Sequence, residues 1–232
     1  MYSKLKILLY VTTHLSILHK QFMNQCWYNM YMNITKHANV NVHLYITNNA
    51  TMYNSSYLPF PHTFTQVHNY GYQAGAISAL YNKRMQKLFR TYDWIIRLNP
   101  DVIIYNVISI IDLMNNPSVY GIFGNCNLRE LSRVKQIFPF LPFNSYPDKC
   151  ISGCVHRRIM TDFTIFRGNV SLAHVPRSIN AEDDATLLFH KITRSYRDRW
   201  IYPYNIDKSC RTRLYNTIVH EHSTSRCNAY NK

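Results

Sequence analysis

Apolar and polar positions along this chain alternate between short β-type runs and stretches with helical spacing. Leu5–Thr12 is a continuous apolar run with β-branched content, which predicts a first buried strand. Thr12-Thr13-His14 follows as a polar turn. From Ser16 to about Met32 the apolar and aromatic residues are spaced as in a helix. Asn41–Thr47 alternates around Val42, Leu44 and Ile46 and predicts a second strand. A strand–helix–strand opening implies a parallel pair with a right-handed crossover. Residues 48–68, rich in Asn, Ser, Pro and Thr, read as a loop. Gly71–Phe89 reads as a helix whose small residues Gly71, Gly75 and Ala76 permit a close approach.

The most informative pattern is Tyr92-Asp93-Trp94-Ile95-Ile96-Arg97-Leu98-Asn99-Pro100-Asp101-Val102-Ile103-Ile104. Two apolar runs flank one polar break, as in a buried strand that stops, exposes a carboxylate and resumes. Pro100 cannot donate to a sheet ladder and pushes Asn99 into an extended conformation, so the break is structural.

Beyond it, Val107–Met114 predicts a short helix stopped at Asn115-Asn116-Pro117, and Val119–Phe123 a strand. Residues 125–160, rich in Cys, Pro and Arg, read as a mobile or substrate-facing loop. Thr161–Arg167 alternates like a strand. Ala181–His190 predicts a helix capped by Asn180 and opened by Glu182, Asp183 and Asp184, acids that suit a positive helix N-terminus. Trp200–Pro203 and Thr217–His220 close the series as short strands. With no repeats and no low-complexity linker, one α/β domain of 232 residues is the simplest account.

Composition narrows the classes. Hydrophobic residues make up 47% of the chain, enough for a core. No run of about 18 apolar residues occurs, so no transmembrane helix is expected. Met1–Leu9 lacks a long apolar region with a small-residue cleavage site and reads as a strand, not a signal peptide. The net charge of +14, from 26 Lys and Arg against 12 acids, suits a polyanion, an acidic surface or an anionic small substrate. The basic residues are scattered, which excludes a basic tail. Of six cysteines, Cys150 and Cys154 with His156 form a C-x3-C-x-H cluster that no second ligand pair completes as a zinc site. A Cys210–Cys227 bridge is expected only in an oxidising compartment.

Three places carry candidate chemistry: Asn99-Pro100-Asp101, Glu182-Asp183-Asp184 and His220-Glu221-His222. In an open α/β sheet, ligands bind outside the carboxyl ends of the strands. There Asp101 and His220 or His222 could share a divalent cation, whose shell is completed by phosphates and water. An acid of the 182–184 group could act as general base. Each also has a structural reading: Asp101 as a turn cap, the acids as helix N-terminal charge, the histidines as chance neighbours on one strand face, and Arg97 as the partner of Asp93.

Five segments in this order, Asn69–Ala76, Tyr92–Asp101, Thr161–Phe163, Asn180–Asp184 and His220, resemble a glycosyltransferase of the GT-A fold, most closely the small nucleotide-sugar transferase domains of large DNA viruses and algae. The resemblance spans roughly residues 4–222. It implies a single GT-A-like domain with a Rossmann-like, mostly parallel sheet flanked by helices, a nucleotide-binding half over about 1–105 and an acceptor half over about 106–232. It implies a hexosyl- or deoxyhexosyltransferase, inverting, that uses Mn2+ or Mg2+ and moves a sugar from a nucleotide-sugar donor to a glycan or protein hydroxyl. The family's Asp-x-Asp motif maps to Asn99-Pro100-Asp101, where the first acid is replaced by Asn. Asp183 is implied as base, with Asp184 its rival, and His220 as metal ligand, with His222 its rival. Thr12, Thr13, His14, Gln73, Arg97 and Asn99 fall on the donor side. A cytoplasmic, virus-encoded protein follows as an expectation, with no nucleic-acid partner. Two other classes stay open: a basic nucleic-acid-binding protein, which would need a basic groove with interleaved aromatics, and a transferase fold without turnover that only binds its ligand.

Overall fold

A computed structural model describes residues 4–48, 53–68, 72–123, 127–130, 155–158, 162–170, 172, 188, 200–201, 218–220, 223–225 and 227. In chain order these form β1 (Lys6–Thr13), α1 (Ile17–Gln25), α2 (Trp27–His37), β2 (Asn39–Thr47), β3 (Thr63–Val67), α3 (Tyr72–Tyr81), α4 (Lys83–Phe89), β4 (Trp94–Leu98), β5 (Val102–Ile104), α5 (Val107–Asn115), β6 (Gly121–Phe123), β7 (Asn127–Glu130), β8 (Val155–Arg158), β9 (Phe163–Arg167), β10 (Trp200–Ile201) and β11 (Ile218–His220).

Seven strands form the main sheet in the order β10-β6-β9-β4-β1-β2-β3. β1 pairs in parallel with both β2 and β4, β2 with β3, and β6 with β10. β9 runs antiparallel between β4 and β6. The result is the expected α/β architecture, mostly parallel, with one reversed interior strand.

Strand alternation divides the core between the two faces of this sheet. Ile7, Leu9, Val11, Leu44, Trp94, Ile96 and Leu98 pack with Phe22, Met23, Trp27, Met30, Ile110 and Met114 from α1, α2 and α5. Leu8, Tyr10, Tyr45, Ile95 and Phe166 pack on the other face with Ile77, Leu80, Met85 and Phe89 from α3 and α4. Each fully buried large side chain contributes roughly 1.5–3 kcal/mol. Near-continuous apolar runs are what strands covered on both faces require.

Several expectations are corrected. The single helix expected over 16–32 is two, α1 and α2, broken at Cys26 and continuing to His37. Cys26 is bonded to Cys227, with Cα atoms 5.0 Å apart, so the expected partner of Cys227 is wrong. The loop expected over 48–68 contains β3, an edge strand whose polar Thr63, Thr65 and Gln66 hide its character. The helix expected over 71–89 is also two, because the Asn82 side chain accepts from the amides of Arg84 and Met85 and starts α4. The apolar run after the break leaves the main sheet: β5 pairs antiparallel with β11 instead. The C-x3-C-x-H cysteines lie outside the described residues, though β7 and β8 form an antiparallel pair that carries His156.

The expected small-residue approach of α3 is seen at Gly75, where an added Cβ would lie 3.3 Å from the Thr47 methyl carbon. No described helix is long and apolar enough to cross a membrane.

Candidate functional site at the carboxyl ends of β1 and β4

After β1 the chain passes to β2 and β3 on one side of the sheet, and β4 then returns to the other side of β1. The order of strands therefore reverses between β1 and β4. Chains leaving two adjacent parallel strands in opposite directions open a crevice at their carboxyl ends, the usual ligand position in such sheets.

Buried polar groups gather there. Thr12, Thr13, His19, Arg97 and Asp101 are all buried, in a protein whose other buried positions are mostly apolar. β1 delivers Thr12 and Thr13, and β4 delivers Arg97. Asn99 and Asp101 sit in the turn that Pro100 forces. That turn is held by the Asn99 carbonyl, which accepts from Val102 N at 3.1 Å, and by Trp27 Nε1, which donates to the Pro100 carbonyl at 2.7 Å. β9, being antiparallel, begins at this same end and brings Asp162 beside Asn99.

One network joins these groups. Arg97 Nη2 donates to Thr12 Oγ1 and, at 2.8 Å, to Asn99 Oδ1. Thr12 Oγ1 donates to Asn99 Oδ1 at 3.3 Å, and Asn99 Nδ2 donates to Asp162 Oδ1 at 3.2 Å. The Asn99 amide N–H also donates to the Asp162 carbonyl at 2.8 Å, extending the β4–β9 ladder by one bond. Asp93, the partner that the purely structural alternative gives Arg97, instead accepts from the Lys6 amide at 2.8 Å at the opposite end of the sheet.

Arg97 has no solvent exposure. Burial pulls its pKa down to about 10, opposed first by Asp162 and then by Tyr10 and Asp101, so it stays charged at neutral pH. Its Nε and Nη1 have no hydrogen-bond partner among the described residues. Buried donors are nearly always paired, so two idle ones on a buried cation point to an anion or water that belongs there.

Asp101 is 8% exposed, not displayed on the surface as the sequence pattern suggests, because β5 turns inward immediately after it. His19 Nε2 lies 3.7 Å from its Oδ2. His14 lies beside His19, the two rings tilted with centroids 4.4 Å apart. Burial, and then His19, push the His14 pKa down, with Asp101 acting the other way. His220 enters by backbone pairing: in the β5–β11 register it stands opposite Val102, the residue after Asp101. Gln73 is the second residue of α3. Asp183, Asp184 and His222 lie outside the described residues.

The arrangement thus brings Thr12, Thr13, His14, Arg97, Asn99 and Asp101 to one strand end and aligns His220 with it. Sequence reasoning missed His19 and Asp162. A histidine three residues before Phe22 and four before Met23, on the apolar face of α1, was the available signal for the first. Asp162 just ahead of an alternating strand was the signal for the second.

A divalent cation fits this donor set in part. Asp101 supplies a hard oxygen and His220 stands next in register, whereas Asn99 Oδ1 is already occupied by Arg97 and Thr12. Among the described residues no group of three or more His, Cys, Asp or Glu gathers to hold a metal. A cation here would take much of its shell from phosphate and water, the usual habit of Mg2+.

Comparison with known proteins finds no matching protein family and no matching curated protein. Among solved structures the chain is similar to a glycosyltransferase involved in the glycosylation of the major capsid of PBCV-1, at 14% identity and a TM-score of 0.46, over 97% of each chain. It is similar to the apo form of the bifunctional glycosyltransferase WbbM at 11% identity and a TM-score of 0.37, over 73% of this chain and 32% of that one. A third similarity, at 12% identity and a TM-score of 0.40 over 83% and 76% of the two chains, is to a protein provisionally described as a nucleotide-diphospho-sugar transferase from Desulfovibrio desulfuricans G20. These neighbours are all described as sugar transferases, at a distance that leaves the site's own geometry to carry the argument.

Proposed function

We propose that this protein is a metal-dependent glycosyltransferase that moves a hexosyl or deoxyhexosyl group from a nucleotide sugar to a glycan or protein hydroxyl, with inversion. The observation that carries the reading is that one strand end holds both a buried cation with idle donors and a buried carboxylate: Arg97, with Nε and Nη1 unpartnered among the described residues, and Asp101, four residues on, whose charge acts on the guanidinium. A departing diphosphate is stabilised by either and best by both. The guanidinium meets phosphate oxygens in a low-dielectric setting where each contact counts for more than in water. The carboxylate would hold Mn2+ or Mg2+ with His220 or His222, and such a cation supplies charge neutralisation to the departing diphosphate. Thr12, Thr13, His14, Gln73 and Asn99 form the donor side, within a nucleotide-binding half over about 1–105 and ahead of an acceptor half over about 106–232.

Asp183, with Asp184 as its rival, takes the proton of the acceptor hydroxyl. The hydroxyl oxygen forms its bond to the anomeric carbon as the bond from that carbon to the diphosphate oxygen breaks in line. This assignment of the base rests on the sequence resemblance.

The test is transfer and donor hydrolysis across a sugar-nucleotide panel with Mn2+ or Mg2+. Product formation that chelation abolishes, and that Asp101→Ala lowers by 100-fold or more, is the expected result. Intact turnover in Asp101→Ala would remove the metal assignment. Tight donor binding by calorimetry without turnover on any acceptor would make the protein a ligand-binding relative instead.

A further inference from the structure

His19 occupies the third position of α1, where the Ser16 side chain caps the helix by accepting its amide at 3.1 Å. Its imidazole is buried between two polar partners: Nδ1 lies 3.0 Å from Thr13 Oγ1, and Nε2 lies 3.7 Å from Asp101 Oδ2. Thr13 Oγ1 accepts the Leu15 amide at 3.0 Å and still holds a proton and a second lone pair, so towards His19 Nδ1 it can donate or accept. The choice is made on the other side of the ring: a carboxylate only accepts, so Asp101 Oδ2 facing Nε2 favours the tautomer with its proton there and with Nδ1 as the acceptor. In that tautomer the order is Leu15 N–H to Thr13 hydroxyl, Thr13 hydroxyl to His19 Nδ1, His19 Nε2–H toward Asp101 Oδ2.

The turn that makes this order possible is unusual. Leu15 sits at φ 57°, a left-handed conformation that a leucine rarely adopts, and its amide is turned back onto Thr13. Strained backbone persists where the surroundings over-determine it, and it concentrates at functional sites. At 3.7 Å the His19–Asp101 approach is an electrostatic contact, longer than a hydrogen bond. Such contacts commonly tighten only when the ligand arrives.

We infer that His19 is a positioning residue for Asp101: the Leu15–Thr13–His19 relay fixes the tautomer and ring, and the ring holds Oδ2 so that the carboxylate meets the cation and diphosphate in one orientation. The inference rests on the metal-dependent reading above. Groups that orient a ligating carboxylate or imidazole typically change metal affinity by about 10- to 100-fold when removed.

The test is titration of Mn2+, alone and with inorganic pyrophosphate, followed by the electron paramagnetic resonance signal of the free ion. Wild type is compared with His19→Phe, His19→Gln and Thr13→Val, and each variant's unfolding midpoint is measured without metal. His19→Phe is expected to weaken Mn2+ binding about 10-fold or more. His19→Gln keeps an N–H donor at the distal position and recovers most of the loss. Thr13→Val removes the hydroxyl at nearly constant shape; because it also strands the Leu15 amide and Thr13 lies on the donor side, it is read with Mn2+ alone, where a several-fold loss at an unchanged unfolding midpoint supports the relay even if His19→Phe folds poorly.

Affinities within twofold of wild type in both His19→Phe and Thr13→Val would overturn this inference and leave the metal reading standing. A large loss in His19→Phe with none in Thr13→Val would overturn the relay and make His19 itself a ligand. Absence of Mn2+ binding in wild type, with and without pyrophosphate, would bring down both readings together.

Discussion

A guanidinium without solvent exposure and with two idle nitrogens is an expensive residue for a β-strand. Leaving a buried donor unmade costs roughly 1–3 kcal/mol, and replacing a buried charge by an apolar side chain of similar volume is often neutral or stabilising. Arg97→Met is therefore expected to unfold in urea within about 2 kcal/mol of wild type, while pyrophosphate binding measured by calorimetry falls at least 10-fold. A large stability loss with binding preserved would assign Arg97 to the core instead. His43 shows the opposite case, a polar core residue with its partners in place. Its ring stacks on Tyr10, and its nitrogens meet Thr63 Oγ1 at 2.7 Å and Thr65 Oγ1 at 3.2 Å. Burial, and then Arg84, lower its pKa from 6.5 to about 4. The folded ring stays neutral where the unfolded one would already be charged, so the unfolded chain binds the extra proton. Stability from this group is complete above about pH 6.5 and is lost as pH falls toward 4, by on the order of 1–3 kcal/mol. Thermal unfolding of wild type and His43→Gln across that range checks it: the variant's profile should be flatter.

At the scale of elements, close approaches decide what the strands can do. Gly168 follows β9, and its amide donates to the Asp93 carbonyl at 3.0 Å. A Cβ there would stand 2.1 Å from the Tyr92 carbonyl oxygen and 2.3 Å from that of Phe89, both backbone atoms that cannot swing aside. Gly168→Ala must push β9 away from the turn that leads into β4, at an expected cost of about 2–3 kcal/mol in urea unfolding. A change below about 0.5 kcal/mol would mean that the turn yields easily. Legibility varies among elements for a physical reason. β1, β4 and α5 are readable because an apolar run or stripe is a local property of the chain. β3 is not, because an edge strand exposes most of its side chains and gains its place from pairing with β2. The breaks at Cys26 and Asn82 are concealed by apolar spacing that continues through them, although the Asn82 cap is recognisable once a start at 83 is considered.

At the scale of the molecule, the Cys26–Cys227 bridge joins positions 201 apart. Cys26 precedes Trp27, whose indole holds the Pro100 carbonyl, and Cys227 follows β11, whose three-residue pairing with β5 aligns His220 with the site. The bridge therefore ties the C-terminal strand and the strand-end turn to one point. Reduction, or Cys227→Ser, is expected to cost about 3–5 kcal/mol in urea unfolding, since closing so long a loop removes much denatured-state freedom. An unfolding midpoint indifferent to reductant would show that the bridge carries little of the stability. The +14 charge acts on this scale too, favouring the approach of anions from a distance.

What the sequence by itself determined is local: the order of apolar runs and helices, the α/β class, the break that Pro100 enforces, and the carboxylate placed at that break. These follow from periodicity and backbone chemistry within a few residues. Tertiary structure alone decided the reversed strand β9, the departure of β5 from the sheet, the burial of Asp101, and the meeting of Arg97 with Thr12 and Asn99 instead of Asp93. It also decided which cysteine Cys227 meets, and it brought His19 and Asp162 to the strand end. Each of these depends on which distant segments pack together, and only the folded sheet, which sets β1, β4 and β9 side by side, determines that.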